Sequence, residues 1–87
     1  MSQDIIKEYK AKKIAFDVCS KCLPRVVPES VGKACMDGIM DLLKGKISEQ
    51  DLFSKLMNVF PEGGIDPSRA AKVIKEIRKR VRFVSPS

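Results

Sequence analysis

Apolar residues recur along this chain at the three- and four-residue spacing of helices packed on one side, in four stretches separated by proline and glycine. In the first, from about Gln3 to Leu23, one stripe runs Ile5, Tyr9, Phe16, Cys19 and Leu23, and a neighbouring one runs Ala11, Ala15, Val18 and Cys22. Its second half is therefore expected to be buried over much of its circumference. Pro24 stops it, because proline has no N–H to give and restricts the residue before it, and Arg25-Val26-Val27 forms a short extended connection. The second stretch starts near Pro28 and carries Val31, Cys35, Ile39 and Leu42, widened by Met36, Met40 and Leu43. Lys33, Asp37, Asp41 and Lys44 lie opposite and are expected to pair along the helix surface. Gly45 suits a left-handed helix end, and Gly32 and Gly38 invite close packing by a neighbour.

The third stretch opens on Ser48 with Asp51 three residues on, a capping arrangement, and its apolar face is Leu52, Phe53, Leu56, Met57 and Phe60. Pro61 ends it, and Glu62-Gly63-Gly64-Ile65 is expected to be a flexible connection. The fourth begins with Asp66 as N-cap and Pro67 as first helical residue. Ala70, Ile74, Ile77, Val81 and Val84 form its stripe, Val73 broadens it, and the remaining faces are basic. Residues 85–87 should fray. The fold expected is all-α, one domain over residues 1–87. Three helices form the core of a compact four-helix array, and the basic C-terminal helix lies across them.

With 87 residues and hydrophobic content of 44%, the chain has room for one core, modestly stable at this size. Its apolar runs are too short to span a bilayer, and Met1-Ser2-Gln3-Asp4 does not open a signal peptide. Three cysteines at uneven spacing do not describe a disulfide framework, so reduced thiols and a cytoplasmic setting are expected. Apolar faces this numerous on so short a chain also leave room for a homodimer.

Charge changes the picture most. The net charge is +6. Residues 1–25 hold six cations against three carboxylates, residues 26–68 four against seven, and residues 69–87 seven against one. The last group is Arg69, Lys72, Lys75, Arg78, Lys79, Arg80 and Arg82 against Glu76, where a merely solubilising face would mix signs. These seven residues are the expected binding site for an anionic partner. Nucleic-acid phosphate is the first choice, an acidic groove on a larger protein the alternative. Phe83 is the only aromatic residue in the basic segment, which speaks against base stacking there.

Other chemistries fit less well. A helix-turn-helix from the second and third stretches would put Glu49 and Asp51 against phosphates, so an ordinary helical hairpin is expected. Cys19, Cys22 and Cys35 lack a fourth ligand and histidine is absent, so no metal is expected and the thiols read as core. A calcium loop around Gly45 would need oxygen ligands where Met40, Leu42 and Lys44 stand. No nucleophile–base pair or phosphate loop is legible, so neither a catalytic residue nor a cofactor is expected.

Overall fold

A computed structural model of the protein describes the backbone of residues 2–81 and the side chains of residues 8–81. The described residues form four helices, α1 (Ser2–Cys22), α2 (Glu29–Leu43), α3 (Glu49–Val59) and α4 (Arg69–Arg80), with a 3₁₀ turn at Phe60–Gly63 after α3. There is no strand among the described residues, and the fold is all-α. The helices neighbour one another in ring order, α1 on α2, α2 on α3, α3 on α4 and α4 back on α1. The fourth helix thus closes the core rather than lying over a finished one. Ile5, Arg82, Val84 and the end at 85–87 lie outside the residues whose side chains are described.

Every residue of the aliphatic and thiol stripe on α2, Val31, Cys35, Ile39 and Leu42, is buried. Leu52 and Leu56 of α3 and Ala70, Val73, Ile74 and Ile77 of α4 meet it in the same cluster. On α1 the outcome differs from expectation. The core face is Ala11, Ala15, Val18, Cys19 and Cys22, whereas Tyr9 stands 70% exposed and Phe16 62%. The small residues win because they let neighbouring backbones come close, a gain in packing that large rings at the interface would prevent. On α3, Phe53 and Met57 likewise sit at the rim, 37% and 39% exposed.

The connections are built rather than slack. The Gly45 N–H donates to the Leu42 carbonyl at 3.0 Å and the Lys46 N–H to that of Asp41 at 2.8 Å, a Schellman closure of α2 around a left-handed glycine. The segment expected to be flexible repeats the device. Gly64 is left-handed, its N–H donates to Pro61 at 3.0 Å, and the Ile65 N–H donates to Phe60 at 2.9 Å. Ile65 and Phe60 are both buried in the core, so this turn is pinned from inside. Ser48 and Asp51 exchange side chain-to-backbone hydrogen bonds, each 3.1 Å, in a capping box. Asp66 does not directly cap the regular helix. Its carboxylate accepts from the Ser68 N–H at 2.9 Å and starts a turn that leads into α4 at Arg69. Lys44, expected to pair on its own helix, reaches across to Glu8 of α1 at 3.0 Å.

The two glycines inside α2 are not equivalent. A Cβ on Gly38 would come within 2.7 Å of Leu52 Cδ1, whereas one on Gly32 meets only Val27 Cγ2 at 3.6 Å. Gly32→Ala should therefore stabilise the fold by up to about 1 kcal/mol through helix propensity. Gly38→Ala gains the same propensity but overpacks the α2–α3 contact, at a cost of about 1–3 kcal/mol, and should give no net gain or a loss. Urea unfolding of the two variants checks the contrast; equal stabilisation by both would show that α3 does not need the gap at Gly38.

Candidate nucleic-acid interface

Six of the seven expected site residues fall within the described part of α4; Arg82 lies beyond it. The structure divides the six: Arg69, Arg78, Lys79 and Arg80 have carbonyl or carboxylate partners, and Lys72 and Lys75 have none among the described residues. Arg69 points back to the end of α1, where its Nη1 donates to the Cys22 carbonyl at 2.7 Å. That carbonyl is one of those a helix end leaves unpaired, and the negative pole of the α1 dipole favours a cation there. A cation in the first turn of α4, unfavourable for α4 itself, is thereby explained by its neighbour. Arg78 forks onto Glu49 at the start of α3, its Nε 3.2 and 3.0 Å from the two carboxylate oxygens and its Nη2 also bonded to Oε1. This hydrogen bond holds the Glu49 carboxyl below its ordinary range. Arg80 lies 3.8 Å from Asp17 of α1 and 3.8 Å from Glu76.

Glu76 is the meeting point of this flank. Its side chain is largely covered, and its carboxylate lies 3.4 Å from Lys21 Nζ and 3.7 Å from Lys79 Nζ besides its contact with Arg80. Desolvation opposes its ionisation, but Lys21, Lys79 and Arg80 outweigh that penalty and keep its carboxyl below the usual range. Lys72 and Lys75 are exposed and have no carboxylate within ion-pairing distance among the described residues.

These side chains line a shallow groove between the end of α1 and α4, in which Lys21, Arg69, Lys72, Lys75 and Lys79 surround Glu76. A second groove, between α3 and α4, has Phe53, Ala71 and Ile74 at its floor and both signs of charge, Glu49 with Lys75 and Arg78, at its edges. Lys21 was not among the sequence-expected site residues. Its place in the groove follows from α1 ending beside α4, a contact between residues distant in sequence.

Sequence reasoning also passed over the outer face of α1. Tyr9 and Phe16 there, with Lys12, Lys13 and Met36 of α2, line an open depression. The signal was present in the chain: Tyr9 and Phe16 are seven residues apart, hence on one face, and lie far around the helix from Ala11, Ala15 and Cys22.

The three cysteines are free thiols in the core. Cys19 Sγ lies 3.3 Å from Cys35 Sγ, and this contact together with burial holds the Cys35 proton well above the ordinary thiol range. Burial, with Glu76 nearby, also pushes the Cys22 thiol up. Among the described residues no three side chains of ligating type cluster as a metal site would require, and no helix is long and apolar enough to cross a membrane. No protein-family model, curated protein or solved structure matches this chain.

The carboxylates that tie α4 to its neighbours give stability a defined acid limb. Glu49 and Glu76 are both depressed in the folded state, so their contribution is present above the unfolded glutamate value of about 4.3 and is lost as pH falls through the lower folded values. Glu76→Gln should lower stability at neutral pH and flatten the loss below about pH 4.3. Urea midpoints measured from pH 7 to pH 2.5 read this directly; an acid limb as steep in the variant as in the wild type would contradict the role given to Glu76.

Proposed function

We propose that this is a non-enzymatic regulatory or architectural protein that binds nucleic-acid phosphate along the lysine-bearing flank of α4 and the end of α1. The observation that supports it best is the division of labour among the cations. Arg69, Arg78 and Arg80 are held by α1, α3 and Glu76, while Lys72 and Lys75 face solvent with no carboxylate partner among the described residues, beside Lys21 and Lys79, which share Glu76. Lysine is a mobile point charge, suited to neutralising phosphates and releasing their counterions without demanding a fixed geometry. The expected interaction of this flank is with the backbone, which positions a nucleic acid but does not read its sequence. The overall excess of positive charge, +6, adds long-range attraction to any polyanion.

Replacing Lys72, Lys75 and Lys79 together with alanine should weaken oligonucleotide binding regardless of sequence. The slope of log affinity against log salt should fall by about 0.7–0.9 for each phosphate that the variant no longer neutralises. Loss of Lys72 or of Lys75 should change stability within ~0.5 kcal/mol, and loss of Lys79 from Glu76 should add only the small cost of a surface ion pair, leaving the protein folded. Fluorescence anisotropy across a salt series makes the measurement. If the wild type shows no salt-dependent binding to duplex or single-stranded nucleic acid, the proposal fails. Docking of the same flank onto an acidic groove of a larger protein then takes its place, and the triple substitution should abolish that docking instead.

A further inference from the structure

We infer that the exposed aromatic face of α1 is a stacking platform for unpaired bases, which makes single-stranded nucleic acid the ligand of this protein. The inference rests on the nucleic-acid reading above and deepens it. Tyr9 and Phe16 are 70% and 62% exposed, although rings of this size normally serve a core. The packing of α1 into the core is achieved without them, by Ala11, Ala15, Val18, Cys19 and Cys22. Seven residues separate the rings, close to two helical turns, so they stand on one face about 10 Å apart along the axis. Lys12 and Lys13 are exposed between them, and Met36 of α2 joins the same depression.

Single exposed apolar residues are ordinary and carry no meaning. Two rings and a methionine grouped with two cations are a different case, because the cations limit what can cover them. The core of a protein interface is depleted in lysine. A membrane-surface helix needs a broad apolar face to sink among lipid chains, and here Lys12 and Lys13 interrupt it. Rings interleaved with cations instead match a chain that alternates bases with phosphates. Every base offers a π-face to a ring, and lysines track the backbone. The platform shares α1 with Lys21 of the proposed phosphate flank. At about 100° per residue, exposed Lys13 lies on the side of the aromatic stripe that turns toward Lys21, and Asp17, which pairs with Arg80 at 3.8 Å, stands between the two. A strand seated on Tyr9 and Phe16 meets Lys12 and Lys13 directly, and Lys21 lies five residues beyond Phe16, about 8 Å further along the helix axis.

Tyr9 is the only tyrosine and the chain has no tryptophan, so intrinsic tyrosine emission reports on the platform alone. Titrating the full-length protein with oligothymidylate of about 12 nucleotides, within ordinary single-strand site sizes, should quench that emission in step with binding. Tyr9→Ala and Phe16→Ala should each weaken single-strand affinity by about fivefold or more, while affinity for a duplex of equal length stays unchanged. Tyr9→Phe, which keeps the ring, should bind as the wild type does. If both alanine variants bind the single strand as tightly as the wild type with the salt dependence intact, the platform is refuted and phosphate binding by α4 survives. Absence of salt-dependent binding to every nucleic acid refutes both. Quenching by anionic phospholipid vesicles but not by oligothymidylate would make this face a membrane contact and overturn the inference.

Discussion

The seating of α4 by its apolar stripe is the constraint on which the rest of the molecule depends. Ala70, Val73, Ile74 and Ile77 are buried, so α4 has one rotational setting against α1 and α3. That setting carries Arg69 to the carbonyl end of α1, Arg78 to Glu49 at the start of α3, and Arg80 to Asp17. The same rotation leaves Lys72 and Lys75 facing water. Surface ion pairs contribute little to stability one at a time, so these arginine contacts are a consequence of how α4 is seated rather than what holds the fold. Burial of the stripe supplies the driving force and the rotational setting, and the guanidinium contacts follow from it.

Much of this was legible in the chain, and the parts that were not share a cause. The α2 stripe was readable because aliphatic residues and a thiol repeat on one face with charges opposite. The capping box at Ser48 and the glycine closure at Gly45 were readable because both devices are local. On α1 large rings competed with alanines for the core, and residue size pointed the wrong way. What decided the face was how near α2 and α4 could come, a property of the assembled helices. Ile65 was hidden behind two glycines that suggest slackness, although one of them makes the turn that buries it. The partners of Arg69 and Arg78 lie 47 and 29 residues away, and no periodicity within α4 could announce them.

The functional consequence is a shift of emphasis along the chain. The basic character of the fourth helix is real in composition, but its arginines largely serve neighbouring helices. On α4, Lys72 and Lys75 are the cations without a carboxylate partner among the described residues, and exposed lysines also stand on α1 beside the uncovered aromatic rings.

The most direct test of this account follows amide chemical shifts of isotopically labelled protein as a short single-stranded oligonucleotide is added. The expected perturbations run along α1 through Tyr9, Lys12, Lys13 and Phe16 to Lys21, and along α4 at Lys72 and Lys75. The Glu49–Arg78 contact and the α3–α4 groove around Phe53 should be unmoved. Perturbations centred on Glu49, Phe53 and Arg78, with α1 silent, would contradict the assignment of arginines to structure and lysines to binding.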